Sequence, residues 1–306
     1  MYQALFYGDT HMSFLSYLIK GISLGSVYAI IALGYTMVYG IAKMLNFAHG
    51  DIIMVGAYTV FTVSTSLGFS PLFGVLLSIL VCTALGLTIE RVAYKPLRGA
   101  ASPLAVLITA IGVSYLLQNI ALLVFGANTI SFTSVVNIEP IVLGADGALV
   151  ISGETIVTII TGIIVMISLT LFVNKTKTGH AMLAVSEDKG AASLMGINVN
   201  RTIALTFAIG SALAAIAGVL LCSAYPTLSP YTGAMPGIKA FVAAVFGGIG
   251  SIPGAMIGGI LLGIIEIFGK AYISSQMADA IVFAVLIIVL LVKPTGILGK
   301  NIQEKV

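Results

Sequence analysis

"ETIVTIITGIIVMISLTLFVNKTK" occupies residues 154–177, and its reading decides the fold class. The apolar part, 154–173, is close to the ~20 residues that a helix needs to cross hydrocarbon. It is continuously apolar rather than alternating, and far longer than the ~9–11 residues of a barrel strand. It stops at Lys175 and Lys177, the beginning of a basic linker. A membrane-spanning helix leading into a basic loop accounts for all of this.

Comparable runs fall at 14–38, 50–67, 71–89, 103–125 and 203–223. A glycine-rich region follows at 237–269, then a last run at 279–292. Of the 306 residues, 59% are hydrophobic and 8% charged, against about 25% charged in a soluble domain. The mean hydropathy is +1.13. Lipid must therefore be part of the solvent. The expected fold is an all-α, polytopic transmembrane bundle, one domain over 1–306, with about eight spanning helices. The net charge of +3 is too small and too scattered for nucleic acid. Cys82 and Cys222 read as free thiols in the membrane core. There is no Cys-x-x-Cys and no metal-ligand cluster, and no cleavable leader is expected, because "MYQALFYGDT" lacks a basic start.

The linkers orient the chain. Residues 90–102 hold Arg91, Lys95 and Arg98, and residues 174–201 hold Lys175, Lys177, Lys189 and Arg201. The tail holds Lys293, Lys300 and Lys305. By contrast, 126–153 has no base, only Glu139 and Asp146, and 223–236 is uncharged. Basic loops stay in the cytoplasm, so the first three segments are placed inside and the last two outside. Alternation then puts the N-terminus outside. Tyr225, Pro226, Pro230 and Tyr231 fall in an outer loop, as an interfacial belt or a contact for an external partner.

"GIKAFVAAVFGGIGSIPGAMIGGILLGIIEIFG", 237–269, has nine glycines in 33 residues. Gly250, Gly254 and Gly258 recur at four-residue spacing, a small stripe that allows close helix approach. "GGIGSIPG", with Pro253, must break the helix. The outcome is two short crossing helices or a re-entrant pair, in either case interior.

"YGIAKMLNFAHGDIIMVGAY", 39–58, gathers Lys43, Asn46, His49 and Asp51 beside or inside hydrocarbon. Two readings stand. One is a path or gating element built on Asn46, His49 and Asp51. The other is an interfacial turn, with Lys43 snorkelling and Asp51 at the next helix start. Glu90 with Arg91 reads as a cytoplasmic anchor. Glu266 and Lys270, four apart, read as a local pair. Gln118 and Asn119 read as glue between helices.

The linker 174–201 is longer than a turn requires. "SEDKGAASLMGI", 186–197, is helical in character but too polar to cross a bilayer. Ala191, Ala192, Leu194 and Met195 form an apolar patch, and Gly196 ends the helix. Such a segment docks on a cytoplasmic partner, or lies on the bilayer or the bundle.

"EDKGAASLMGI" resembles the cytoplasmic coupling loop of ABC importer permeases, with Gly190, Ala191 and Ala192 where that pattern has Glu-Ala-Ala, and Gly196 as its glycine. "NFAHGDIIMVGAY", "ERVAYKPLRG", "SPLAVLITAIGVSYLLQN", "AVSEDKGAASLMGINVNRTIALTF" and "KAFVAAVFGGIGSIPGAMIGGILLGIIE" extend the likeness to LivH-type permeases of branched-chain amino acid ABC importers. The resemblance implies a multi-pass bacterial inner-membrane permease and a homologous second permease. It also implies two cytoplasmic ATPases that carry ATP and Mg, and a periplasmic binding protein delivering leucine, isoleucine or valine. It assigns Glu187, Asp188, Ala191, Ala192 and Gly196 as contacts to the ATPase, and a shallow, largely apolar passage. The chain has no phosphate-binding Gly-x-x-x-x-Gly-Lys-Ser/Thr loop and no catalytic motif, so no cofactor and no enzyme chemistry are expected in it. Urea or short amides remain an alternative substrate class. A secondary transporter or channel would need compensating charges at mid-membrane or a repeat. A non-transporting assembly subunit would bind partners without flux.

Overall fold

The computed structural model describes residues 2–99, 103–143 and 149–299; Asp146, Lys300 and Lys305 lie outside the described residues. The chain forms eleven helices among the described residues: α1 (Tyr2–Ala42), α2 (His49–Phe61), α3 (Pro71–Ile89), α4 (Pro103–Phe125), α5 (Gly153–Lys175), α6 (Lys177–Glu187), α7 (Lys189–Leu194), α8 (Val199–Ala224), α9 (Ala234–Gly247), α10 (Ile252–Tyr272) and α11 (Ala278–Val292). Six are long and apolar enough to cross a membrane, and α9 and α11 are shorter apolar helices. The bundle is the all-α membrane architecture that the apolar runs imply. α2 is extended by a π-helical turn over Thr62–Ser66, which completes the run at 50–67.

Helix starts follow local chemistry. The Ser70 hydroxyl accepts from the Phe73 amide ahead of Pro71, and the Ser152 hydroxyl accepts from Thr155. Ser251 caps α10 through the Gly254 amide. Each side chain satisfies an amide that the first turn leaves open.

α1 is the buried centre, with 94% of its most apolar window covered, whereas the corresponding windows of α3, α4 and α5 are 22–28% covered. Leucines and isoleucines on those outer helices, such as Leu123, Ile108 and Ile164, face outward. Outward apolar side chains of this kind are at home in hydrocarbon. α1 and α10 run antiparallel at backbone contact, as do α9 and α10 across Gly247 and Gly254.

The glycine-rich region resolves into two unequal helices. α9, of 14 residues, is about 21 Å long and cannot cross ~30 Å of hydrocarbon alone. α10 has 21 residues and can. The break falls at Gly248–Ser251, with Gly248 and Gly250 at φ of 107° and 93°. Pro253 sits in the first turn of α10, where its missing donor costs nothing. Gly258 packs on the backbone of Ala243 and Gly247. The final described segment closes over this break: the Ile297 and Leu298 amides donate to the carbonyls of Phe246 and Gly247, both at 2.9 Å.

The two ends of the bundle differ. At one, Arg98 bonds to Asn200 and to the buried Glu90, and Lys189 reaches Ala42. The basic linkers thus converge on one end. At the other, Ile130–Ser131 pairs antiparallel with Thr227–Leu228, and the Val135 amide donates to the Ser223 hydroxyl. These are the base-poor segments. A second small hairpin joins Ile141–Leu143 to Leu149–Ile151.

Candidate functional site

Polar residues concentrate in three places. The first is the turn between α1 and α2. α1 stops at Ala42, and Lys43 takes φ 57°, the left-handed region where glycine is usual. The chain then folds back into the bundle instead of leaving it. His49 stacks edge-on against Tyr35, ring centroids 4.7 Å apart, and lies against Gly34. Gly34 is about 12 Å back along α1 from its end. A Cβ at Gly34 would stand 2.5 Å from His49 Nε2, so a larger residue there would have to displace the ring.

The same turn places all three polar residues inside. Asn46, His49 and Asp51 are buried at 2%, 1% and 2% exposure. Asn46 Oδ1 accepts from the Tyr94 hydroxyl at 2.9 Å. Asp51 Oδ1 accepts from Gln118 Nε2 at 2.8 Å, across α2 and α4. Asp51 also lies in the first turn of α2, at the favourable end of its dipole. His49 Nε2, Thr36 Oγ1 and Tyr58 Oη are buried with no hydrogen-bond partner among the described residues. Phe241 of α9 packs on both Tyr35 and Phe47, and Gly237 sits on Gly50. So α9 forms one wall of this polar turn. Asn119, the neighbour of Gln118, bonds back to the Tyr115 carbonyl of its own helix.

The second place is an ion cluster inside the bundle. Lys239 Nζ stands 2.8 Å from Glu266 Oε1 and 2.6 Å from Asp279 Oδ1. Lys270 Nζ is 2.6 Å from the same Glu266 oxygen, and the Tyr28 hydroxyl donates to Glu266 Oε2 at 2.8 Å. The side chains of Glu266 and Lys239 are 1% and 8% exposed. Two positive and two negative groups balance; the buried pair, Lys239 and Glu266, is fully partnered, as burial in apolar surroundings requires, while Lys270 and Asp279 are 38% and 49% exposed. The Glu266–Lys270 pair was legible from its spacing. Lys239 and Asp279 were not singled out, although a lone lysine in an apolar glycine-rich run is itself a signal.

The third place is the linker at the basic end. It holds two helices, not one. Thr176 caps α6 through the Gly179 amide at 2.9 Å. Asp188 then caps α7, its Oδ1 accepting from the Gly190 and Ala191 amides at 2.7 and 3.0 Å. Gly196, at φ 81°, closes α7: the Ile197 amide reaches the Ala192 carbonyl and the Gly196 amide reaches Ser193. This is the Schellman pattern.

The residues expected at a partner surface divide accordingly. Glu187, Ala191 and Gly196 are exposed, and nothing lies within 4 Å of a Cβ built on Gly196. Asp188 is exposed but spends its oxygen on its own helix. Ala192 points inward at 4% exposure. The most outward groups are Leu194 and Met195, at 90% and 83%. Both are large apolar side chains left open at the basic end. No group of three or more His, Cys, Asp or Glu side chains able to hold a metal occurs among the described residues.

A family model described as "Branched-chain amino acid transport system / permease component" matches residues 17–290. The chain is 46% identical to the high-affinity branched-chain amino acid transport system permease protein LivH of Escherichia coli (strain K12), covering 97% of this chain and 99% of that one. LivH of Salmonella typhimurium is equally similar. The corresponding protein BraD of Pseudomonas aeruginosa is 46% identical over 96% of this chain and 98% of its own.

Proposed function

The chain belongs to the family of branched-chain amino acid transport permease components, and from that membership we propose that it is a multi-pass subunit importing leucine, isoleucine and valine. The observation that carries the reading is 46% identity along almost the whole of both chains. The complete transporter on this reading contains a homologous second permease, two cytoplasmic ATPases that bind ATP and Mg, and a periplasmic binding protein. The membrane is the bacterial inner membrane, with the basic end in the cytoplasm. This chain contributes half of the path and the surface through which hydrolysis is felt.

Uptake of labelled leucine, isoleucine and valine by the reconstituted complex, with urea and acetamide as competitors, tests the substrate class. Saturable leucine uptake that needs ATP and is indifferent to the amides is expected. Uptake blocked by urea would assign the amide branch instead.

One observation favours a second reading. The Lys239–Glu266 cluster supplies the compensated buried charges that a secondary transporter requires. Family membership outweighs it, since the cluster is closed on itself by Tyr28, Lys270 and Asp279. Proton-gradient-driven uptake in vesicles lacking the ATPases would reverse that ranking.

On this reading the ATPase meets α7 and the segment after it. Leu194 and Met195 supply the anchoring apolar area there, and Glu187 a rim charge. Burying two such side chains stabilises an interface by about 1.5–3 kcal/mol each. Replacing both Leu194 and Met195 by serine is expected to abolish co-purification of the ATPases while the permease still folds. Retention of the ATPases at wild-type stoichiometry would rule out this surface.

A further inference from the structure

The Lys189 side chain leaves α7 and donates from Nζ to the Ala42 carbonyl at 2.9 Å. Ala42 is the fully buried last residue of α1. The final carbonyls of a helix lack partners within it, and an ammonium there satisfies one of them and suits the dipole. Lys189 makes no ion pair among the described residues. Its surroundings are positive: burial, then Arg98 and Lys43, hold its pKa below the ordinary lysine value. The carbonyl is thus its main local attraction.

Immediately after Ala42 comes the turn that carries the buried polar residues. Lys43 holds φ 57°, the one non-glycine residue with positive φ among the described residues. An L side chain adopts that region at a cost, and such strain persists only where neighbours hold it. Asn46 is tied to Tyr94 and His49 is wedged against Gly34. One hydrogen bond and the turn 43–48 therefore separate the outward helix α7 from His49 and Asp51.

Resting on the transport reading above, we propose that Lys189 is a positioning residue that passes displacement of α7 to the turn 43–48, and through it to the polar residues inside the bundle. The two-state element is Lys43. With the Lys189 bond made, α1 ends at Ala42; with it released, Lys43 relaxes to the right-handed region and the turn shifts. Lys189 acts on the substrate path only through this turn.

The test uses the whole complex, with both permeases, ATPases and binding protein, in lipid nanodiscs and vesicles. Lys189→Met keeps the stem and removes the donor; Lys189→Arg keeps a donor. In Lys189→Met, ATPase co-purification and basal hydrolysis are expected to match wild type, while leucine uptake per ATP hydrolysed falls about tenfold, the scale of one charged hydrogen bond. Lys189→Arg is expected to recover most of it. Asn46→Ala severs the same turn from Tyr94. The double variant is expected to be no worse than the poorer single one, because both act through one segment. Unchanged coupling in Lys189→Met, or additive losses in the double variant, overturns the proposal. Loss of the ATPases on Lys189→Met also overturns it, making Lys189 a docking residue. A wild-type complex that imports none of the three amino acids overturns the transport reading itself, before any variant is compared.

Discussion

Replacing Glu266 by alanine is expected to destabilise the detergent-solubilised subunit by about 3–5 kcal/mol, the range for removing one partner of a buried ion pair. Glu266 holds three donors at once: Lys239, Lys270 and the Tyr28 hydroxyl. Lys270 is partly exposed and can turn to water, but Lys239 is 8% exposed and would be left with Asp279 alone. The Tyr28 hydroxyl would also lose its acceptor in an apolar setting, which pushes the loss toward the upper end. Glu266→Gln keeps an acceptor for Tyr28 and is expected to fall between alanine and wild type. Joint replacement of Lys239 by Met and Glu266 by Leu is expected to cost far less than Glu266→Ala, because the two buried charges leave together and Lys270 and Asp279, 38% and 49% exposed, can turn to water. The fraction of monodisperse protein surviving a heating series ranks these variants. Equal survival of Glu266→Ala and wild type would mean that the cluster does not hold α9, α10 and α11 together.

That cluster also shows where sequence reading stops. The membrane bundle was legible because continuous apolar runs of spanning length leave no other fold, and the basic linkers at 90–102 and 174–201 do converge on one end. The break at 248–251 was legible from Gly248, Gly250 and Pro253, but which of two topologies it makes was not. The answer depends on helix length, and α9 begins at Ala234, ahead of the glycine-rich region. Glu266 and Lys270 were legible as an i,i+4 pair. Lys239 and Asp279 were not, because their partner lies on another helix and no local spacing encodes it. Asn46, His49 and Asp51 admitted two readings, since a polar turn beside hydrocarbon has the same composition whether it stays at the surface or folds inward. What sends it inward is Gly34, fifteen places before His49, a small residue inside a long apolar run with no polar signal of its own. The linker obeys the same logic. Gly196 as a helix end could be read off, whereas the split at Asp188 depends on that side chain choosing the Gly190 and Ala191 amides. Gly190 is part of that choice. A Cβ there would lie 3.2 Å from Asp188 Oδ1, so the glycine leaves room for this cap.

The second large effect is expected at the seam of α1 and α10. Gly25→Leu should leave little or no folded subunit, whereas Gly112→Ala should be neutral or slightly stabilising. A Cβ on Gly25 would lie 2.6 Å from Ile260 Cα, with the Gly259 carbonyl also within reach. Gly263 faces back onto the Gly25 backbone, and Gly259 onto Ala29. These obstructions are main chain, so no rotamer change relieves them. Overpacking a core usually costs about 1–3 kcal/mol because side chains can shift; here the helices must separate. In lipid, separation forfeits the close packing that holds such helices together, since the hydrophobic effect does not drive their association. α1 is the most buried helix, so its displacement would open the contacts of α8 and α10 together. On Gly112 of α4 nothing lies within 4 Å, and alanine gains up to about 1 kcal/mol of helix propensity. Expression and monodispersity of Gly25→Ala, Gly25→Leu and Gly112→Ala measure the contrast. Even alanine at position 25 is expected to lower the folded yield, and a normal yield of Gly25→Leu would mean that α1 and α10 do not meet backbone to backbone.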